Sequence, residues 1–220
     1  MHTERISSDA LMEFDMHPVE THMRKTDLTV VYINDPVMVE DSINTMERLL
    51  AEDDKYKVVG FDLAFTGGRV GHDHKVVVAQ FSVRHHVFLH HYCLATMPCE
   101  CFTRFVHNPE YRFATVDTTN DPKVVKTSGL ACQKLVDIHD RYKIWGNNKD
   151  MESHVDLAEG IIDPYYRSMK AECGKKKHAW HRTWVKRLDE HHIQTATKEA
   201  CTCYEMFKQL VDMRNYLLPE

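Results

Sequence analysis

Asp62 stands in the middle of an apolar run, Val58-Val59-Gly60-Phe61-Asp62-Leu63-Ala64-Phe65. A carboxylate in such a strand loses hydration, and an ionised group left there without a partner is costly. Its presence favours a metal or a basic side chain beside it. Asn120-Asp121-Pro122 offers a second acidic position, although by composition alone it is an ordinary helix start. Lys170, Lys175, Lys176, Lys177, Arg182, Lys186 and Arg187 fall in one short segment with Trp180 and Trp184. Such cations can meet backbone phosphates while the rings stack on bases, and Lys176, Lys177, Arg182 and Lys186 are the candidate contacts. The plainer reading is a solvated charged loop with a tryptophan packed beneath it. Cys99/Cys101 and Cys201/Cys203 have C-x-C spacing, not the C-x-x-C of a zinc knuckle, and buried thiols are the commoner outcome. The 16 histidines, among them His72, His74, His85, His86, His90, His91, His191 and His192, look metal-rich by count. Most are expected to be exposed strand or helix residues.

These groups need a scaffold. A length of 220 residues suffices for one domain with a substantial core. The 43% hydrophobic and 28% charged residues are ordinary globular values, arguing against disorder and against a membrane protein. Met1 to Lys25 lacks the apolar core of a signal peptide and reads as a tail, so the expected setting is intracellular, nucleus or cytoplasm. Seven cysteines without a secretion signal predict reduced thiols. A net charge of -5 excludes a globally basic nucleic-acid binder while leaving room for a local patch.

Leu28 to Ile33 predicts a strand, and Val39, Ile43, Met46, Leu49 and Leu50 a helix after Asp35-Pro36. Lys57 to Phe65, Lys75 to Val83 and His86 to His91 predict three consecutive strands in an antiparallel meander. A helix with Phe102, Phe105 and Val106, a strand from Arg112 to Val116 and a helix opening at Asn120-Asp121-Pro122 follow. Ile193, Ala196, Ala200, Tyr204, Phe207 and Leu210 recur at three and four residues, predicting a long helix from about Glu190 to Met213 with that face in the core. The order is that of a layered α/β domain, assigned to residues 26–215 between tails at 1–25 and 216–220.

The strand bearing Asp62 resembles the first motif of DEDD-type 3'-5' exonucleases, the group containing the Werner syndrome type nuclease domain and many plant homologues. That motif is an apolar strand with Asp-x-Glu. Lys75-Val76-Val77-Val78-Ala79-Gln80-Phe81 resembles the family's next strand, Phe113-Ala114-Thr115-Val116 followed by Asn120-Asp121 its second motif, and Leu188 to Ala200 its third, a helix with Tyr-x-x-x-Asp. The resemblance spans about Leu28 to Met213. It implies a ribonuclease H-like mixed five-stranded sheet flanked by helices, with acidic residues converging beside the central strand on two divalent metals. Residues 62 and 64 share a strand face and residues 195 and 199 a helix face, as that arrangement demands.

Two-metal hydrolysis clamps the attacking and leaving oxygens of a phosphodiester, and hard Mg²⁺ or Mn²⁺ takes carboxylate oxygens. The resemblance makes Asp62, Asp121 and Glu199 the metal ligands and Asp62, Ala64, Asp121, Thr195 and Glu199 the catalytic positions. Ala64 stands where Glu belongs, Thr195 replaces Tyr and Glu199 replaces Asp. With one carboxylate gone, another lengthened and the water-positioning phenol lost, metal binding is weakened or absent. The expectation is an exonuclease-like protein that binds single-stranded 3' ends but is impaired or inactive. The alternatives are a weakly active metal-dependent exonuclease and a protein-interaction or regulatory module built on the same fold.

Overall fold

The computed structural model describes residues 11–14, 28–33, 35–52, 56–66, 75–95, 99–116, 122–144, 153–167 and 184–217. Seven strands form one mixed sheet: β1 (Leu11–Phe14), β2 (Thr29–Ile33), β3 (Val58–Phe65), β4 (Val76–Val83), β5 (His86–His90), β6 (Arg112–Thr115) and β7 (Leu135–Asp137), in the order β1-β2-β5-β4-β3-β6-β7. Strands β3, β4 and β5 form the antiparallel meander predicted from sequence, while β2 joins β5, β6 joins β3 and β7 joins β6 in parallel. The five inner strands match the expected sheet. Strand β7 and the antiparallel β1 extend its two edges, so the sheet has seven strands, and four residues of the expected N-terminal tail belong to it.

Helices α1 (Pro36–Ala51), α2 (Glu100–Val106), α3 (Pro122–Thr127), α4 (Ile138–Ile144), α5 (His154–Ile161) and α6 (Glu190–Leu217) surround the sheet. Strand alternation divides β3 between its faces. Val59, Phe61 and Phe65 join Ile43, Met46, Phe102 and Phe105 from α1 and α2, whereas Val58 and Ala64 face the clusters that α6 completes. Phe81 is the hub of the first face, meeting Phe102 and Phe105 edge-on with centroids 5.7 and 5.9 Å away. Every residue of β4 is buried, which explains its nearly continuous apolar sequence. Arg84 adopts φ 54° in the two-residue turn between β4 and β5, where a tight hairpin demands the left-handed region.

Asp35 caps α1 by accepting from Val37 N at 2.8 Å, with Pro36 in the first turn. Asp189 accepts from His192 N at 3.0 Å at the start of α6. That helix buries Ile193, Ala196, Ala200, Cys203, Tyr204, Phe207 and Leu210 along one stripe, and it runs to Leu217, beyond the predicted Met213 and into the expected C-terminal tail.

The histidines depart from expectation. His86, His90, His91 and His192 are buried, while His85 and His191 are exposed. Neutral imidazole packs like an aromatic ring: His90 lies 4.8 Å from Phe102, centroid to centroid, and burial pushes its pKa down to about 4. His72 and His74 lie outside the described residues.

Candidate active site

Gly60 determines where α6 crosses the sheet. A Cβ at this position would lie 2.2 Å from the Ala200 carbonyl oxygen and 2.7 Å from Tyr204 N, so helix backbone rests directly on strand backbone. Two residues along the same strand face is Asp62, and one residue before Ala200 is Glu199. The close crossing brings these two carboxyl groups into hydrogen-bonding contact. The two acidic positions on β3 and α6 that sequence order nominated are therefore neighbours.

Burial holds the Glu199 carboxyl well above the usual carboxylate range, and the adjacent Asp62 charge raises it further. Gln80 opposes this. It pairs with Asp62 across β3 and β4 and is fully buried, and its amide favours the charged form of Glu199. The amide stops short of hydrogen-bond geometry, since neither Nε2 nor Oε1 meets a partner among the described residues. Cys203, one turn beyond Glu199, is buried beside the pair, and its thiol is raised by desolvation and then by the two carboxyls.

Ala64 shares the strand face of Asp62, but its methyl packs against the cluster containing Val77, Val78, Ile193 and Ala196. Thr195 lies one turn before Glu199, where its hydroxyl donates to the His191 carbonyl at 2.9 Å. That hydroxyl is engaged with its own helix. Asp121 lies outside the described residues, as do Lys176, Lys177 and Arg182. Lys186 is exposed. Trp184 is only 3% exposed, wedged edge-on to His192 with centroids 5.1 Å apart, so its ring is core and not a stacking platform for bases.

Gln80 and Gly60 are the residues that sequence reasoning left outside the site. Gln80 did carry a signal, a polar residue closing the apolar run Val76 to Ala79. Gly60 carried none beyond being a glycine within a strand. Among the described residues, no group of three or more His, Cys, Asp or Glu side chains gathers in a way that could hold a metal ion.

No protein-family model matches the sequence, and no curated protein matches it significantly. Solved structures do. The chain is similar to the Nibbler EXO domain of Aedes aegypti, with 9% identity, a TM-score of 0.61 and coverage of 86% of this chain and 89% of that one. It is similar to Escherichia coli RNase D, an exoribonuclease involved in structured RNA processing, at 14% identity and TM-score 0.61, covering 84% of this chain and 44% of that one. Trypanosoma brucei RNase D, solved as a GMP complex, gives 14% identity and TM-score 0.64 over 83% of this chain and 57% of that one. The chain thus spans about half the length of the two RNase D structures it matches. Identities this low speak for the fold alone, and together with the sheet order and the crossing of α6 they show that the chain has the ribonuclease H-like fold of DEDD-type 3'-5' exonuclease domains.

Proposed function

We propose that this chain is a 3'-5' exonuclease-like domain that engages single-stranded nucleic-acid 3' ends and hydrolyses them poorly or not at all. The observation that carries the reading is the meeting of Asp62 and Glu199 beneath α6, while Ala64 presents a methyl on the same strand face. Two partly buried carboxyls pressed together, with an amide dipole behind them, suit a hard divalent cation better than they suit each other. Asp62, Glu199 and Asp121 would hold Mg²⁺ or Mn²⁺. When bound, such ions stabilise charge developing on the attacking and leaving oxygens of a phosphodiester. With Ala64 contributing no oxygen and Thr195 bonded to its helix, this chain's own residues would bind the ion without fully enclosing it and would leave the attacking water unpositioned. Lys176, Lys177, Arg182 and Lys186 supply the phosphate contacts in this reading, in an intracellular setting.

The test pairs binding with digestion. A 3'-labelled single strand should bind with an affinity that falls steeply with salt, and nucleotide release in Mg²⁺ or Mn²⁺ should be at or near background. No binding at low ionic strength would instead favour a protein-interaction module. A second reading, a weakly active exonuclease, is favoured by Glu199, which keeps a carboxylate in contact with Asp62. Slow release abolished by Asp62→Asn would establish it.

A further inference from the structure

Away from this site, Cys99 and Cys101 have sulfur atoms 3.0 Å apart, one thiol hydrogen bonding to the other. The separation is about one ångström beyond a disulfide bond length. Their positions explain it. Cys99 is the extended residue preceding α2, with φ -110° and ψ 112°, and its side chain does not cap the helix. Cys101 lies in the first turn and points into the core beside Phe102 and Phe105. The change from extended to helical backbone lets side chains two residues apart turn toward each other, which a regular helix forbids. The contrast is within the molecule: Cys201 and Cys203 have the same spacing inside α6, where Cys201 meets the Ser82 hydroxyl at 3.5 Å and Cys203 is buried beside the carboxyl pair. Cys99 is partly exposed, so a small reagent can reach the first pair from one side.

We propose that Cys99 and Cys101 form a redox-active dithiol that exchanges with small-molecule disulfides of the glutathione type. In the first step the Cys99 thiolate attacks a sulfur of the small disulfide, forming a mixed disulfide and releasing one small thiol. The Cys101 sulfur then attacks the Cys99 sulfur, its proton passing to the second departing thiolate. Two protein thiols are oxidised to one disulfide while one small disulfide is reduced to two thiols. Burial, reinforced by the hydrogen bond to Cys99, pushes the Cys101 thiol up to about 12, which fits a resolving thiol shielded from direct attack. The closed pair would pin the chain entering α2 to that helix's first turn.

The full chain, equilibrated with reduced and oxidised glutathione and then alkylated, should yield a peptide containing both residues that has lost two hydrogens, while the peptide containing Cys201 and Cys203 is alkylated at both. Cys101→Ala should instead trap glutathione on Cys99, and Cys99→Ser should leave Cys101 reduced. Phenylarsine oxide, which bridges two adjacent thiols with loss of water, needs no variant. It should protect this pair of the wild-type protein from alkylation and leave Cys201 and Cys203 reactive on unfolding. A pair that stays reduced in oxidised glutathione and is not bridged by the arsenical overturns the proposal, as does oxidation that joins either residue to another cysteine.

Discussion

Two carboxyl groups in contact under a helix, with Glu199 held partly out of water, are a stability cost that a merely structural site would have shed. Glu199→Gln keeps the shape and can donate to Asp62, without a carboxyl that must either take up a proton or face the Asp62 charge. This variant should be more stable than wild type in chelator at neutral pH, by on the order of 1 kcal/mol, and should lose whatever stabilisation Mn²⁺ gives the wild type. Thermal unfolding with and without Mn²⁺ measures both, and a less stable variant would mean that the pair is a net structural bond. The proposed impairment predicts what the same site needs in order to hydrolyse. Restoring Ala64→Glu, Thr195→Tyr and Glu199→Asp together should produce metal-dependent nucleotide release from a labelled 3' end, with Ala64→Glu contributing most because only it adds a ligand oxygen. Since Ala64 packs against Ile193 and Ala196, the introduced glutamate must reach past them toward Asp62, and folding has to be checked by thermal unfolding. Gains should be non-additive, with little from Thr195→Tyr or Glu199→Asp alone. A folded triple variant that binds Mg²⁺ but releases nothing would show that these three positions do not account for the proposed impairment.

At the scale of elements, the site depends on how closely α6 lies on β3. Gly60→Ala places a methyl 2.2 Å from a helix carbonyl, and neither backbone can yield independently. The helix must lift, so the variant should lose about 1–3 kcal/mol of stability and, with Asp62 and Glu199 parted, the stabilising effect of Mn²⁺ as well. Ala200→Gly tests the same crossing from the helix side: it leaves the offending carbonyl in place and should not rescue. Chemical denaturation with and without metal reads both, and an unperturbed Gly60→Ala would contradict the crossing. This dependence shows which parts of the fold were legible. Helix α6 was, because Ile193 to Leu210 repeats at helical spacing over several turns, and β3 to β5 were, because β-branched runs end at glycines or at a short hairpin. Strands β1 and β7 were not: Leu-Met-Glu-Phe lies among charges and histidines, and three residues at Leu135–Asp137 are too few to express a period. Asp62 and Glu199 could be nominated from motif order, yet their contact is set by a glycine facing a helix 140 residues later (Gly60 to Ala200), which local pattern cannot encode. The histidines misled for a related reason, since an amphipathic ring is equally at home in the core and on the surface.

Across the whole molecule, the buried histidines couple fold to acidity. His86, His90 and His91 are each pushed down to about 4, first by burial and then, for His86 and His91, by a neighbouring histidine. Their unfolded value is 6.5, so between pH 6.5 and 4 the unfolded chain binds protons that the folded chain refuses. Stability from these groups is fully present above pH 6.5 and falls with acidification, each contributing up to about 1.4 kcal/mol per pH unit. Glu199 acts in the opposite sense, because its raised pKa lets the folded state take up a proton first, but it is one group against four, since burial also pushes His154 down to about 4. The net outcome is a loss of several kcal/mol between pH 7 and about 5. Urea unfolding at pH 7.5, 6 and 5 should show the midpoint falling at constant slope, with His86→Gln flattening the dependence by up to one proton's worth. The isoelectric point of about 6.3 lies in this window, so light scattering must accompany each curve to separate unfolding from association. A midpoint that stays level from pH 7.5 to 5 would mean that these imidazoles accept protons inside the folded protein, and that β5 opens to water more readily than the packing of His90 against Phe88 and Phe102 indicates.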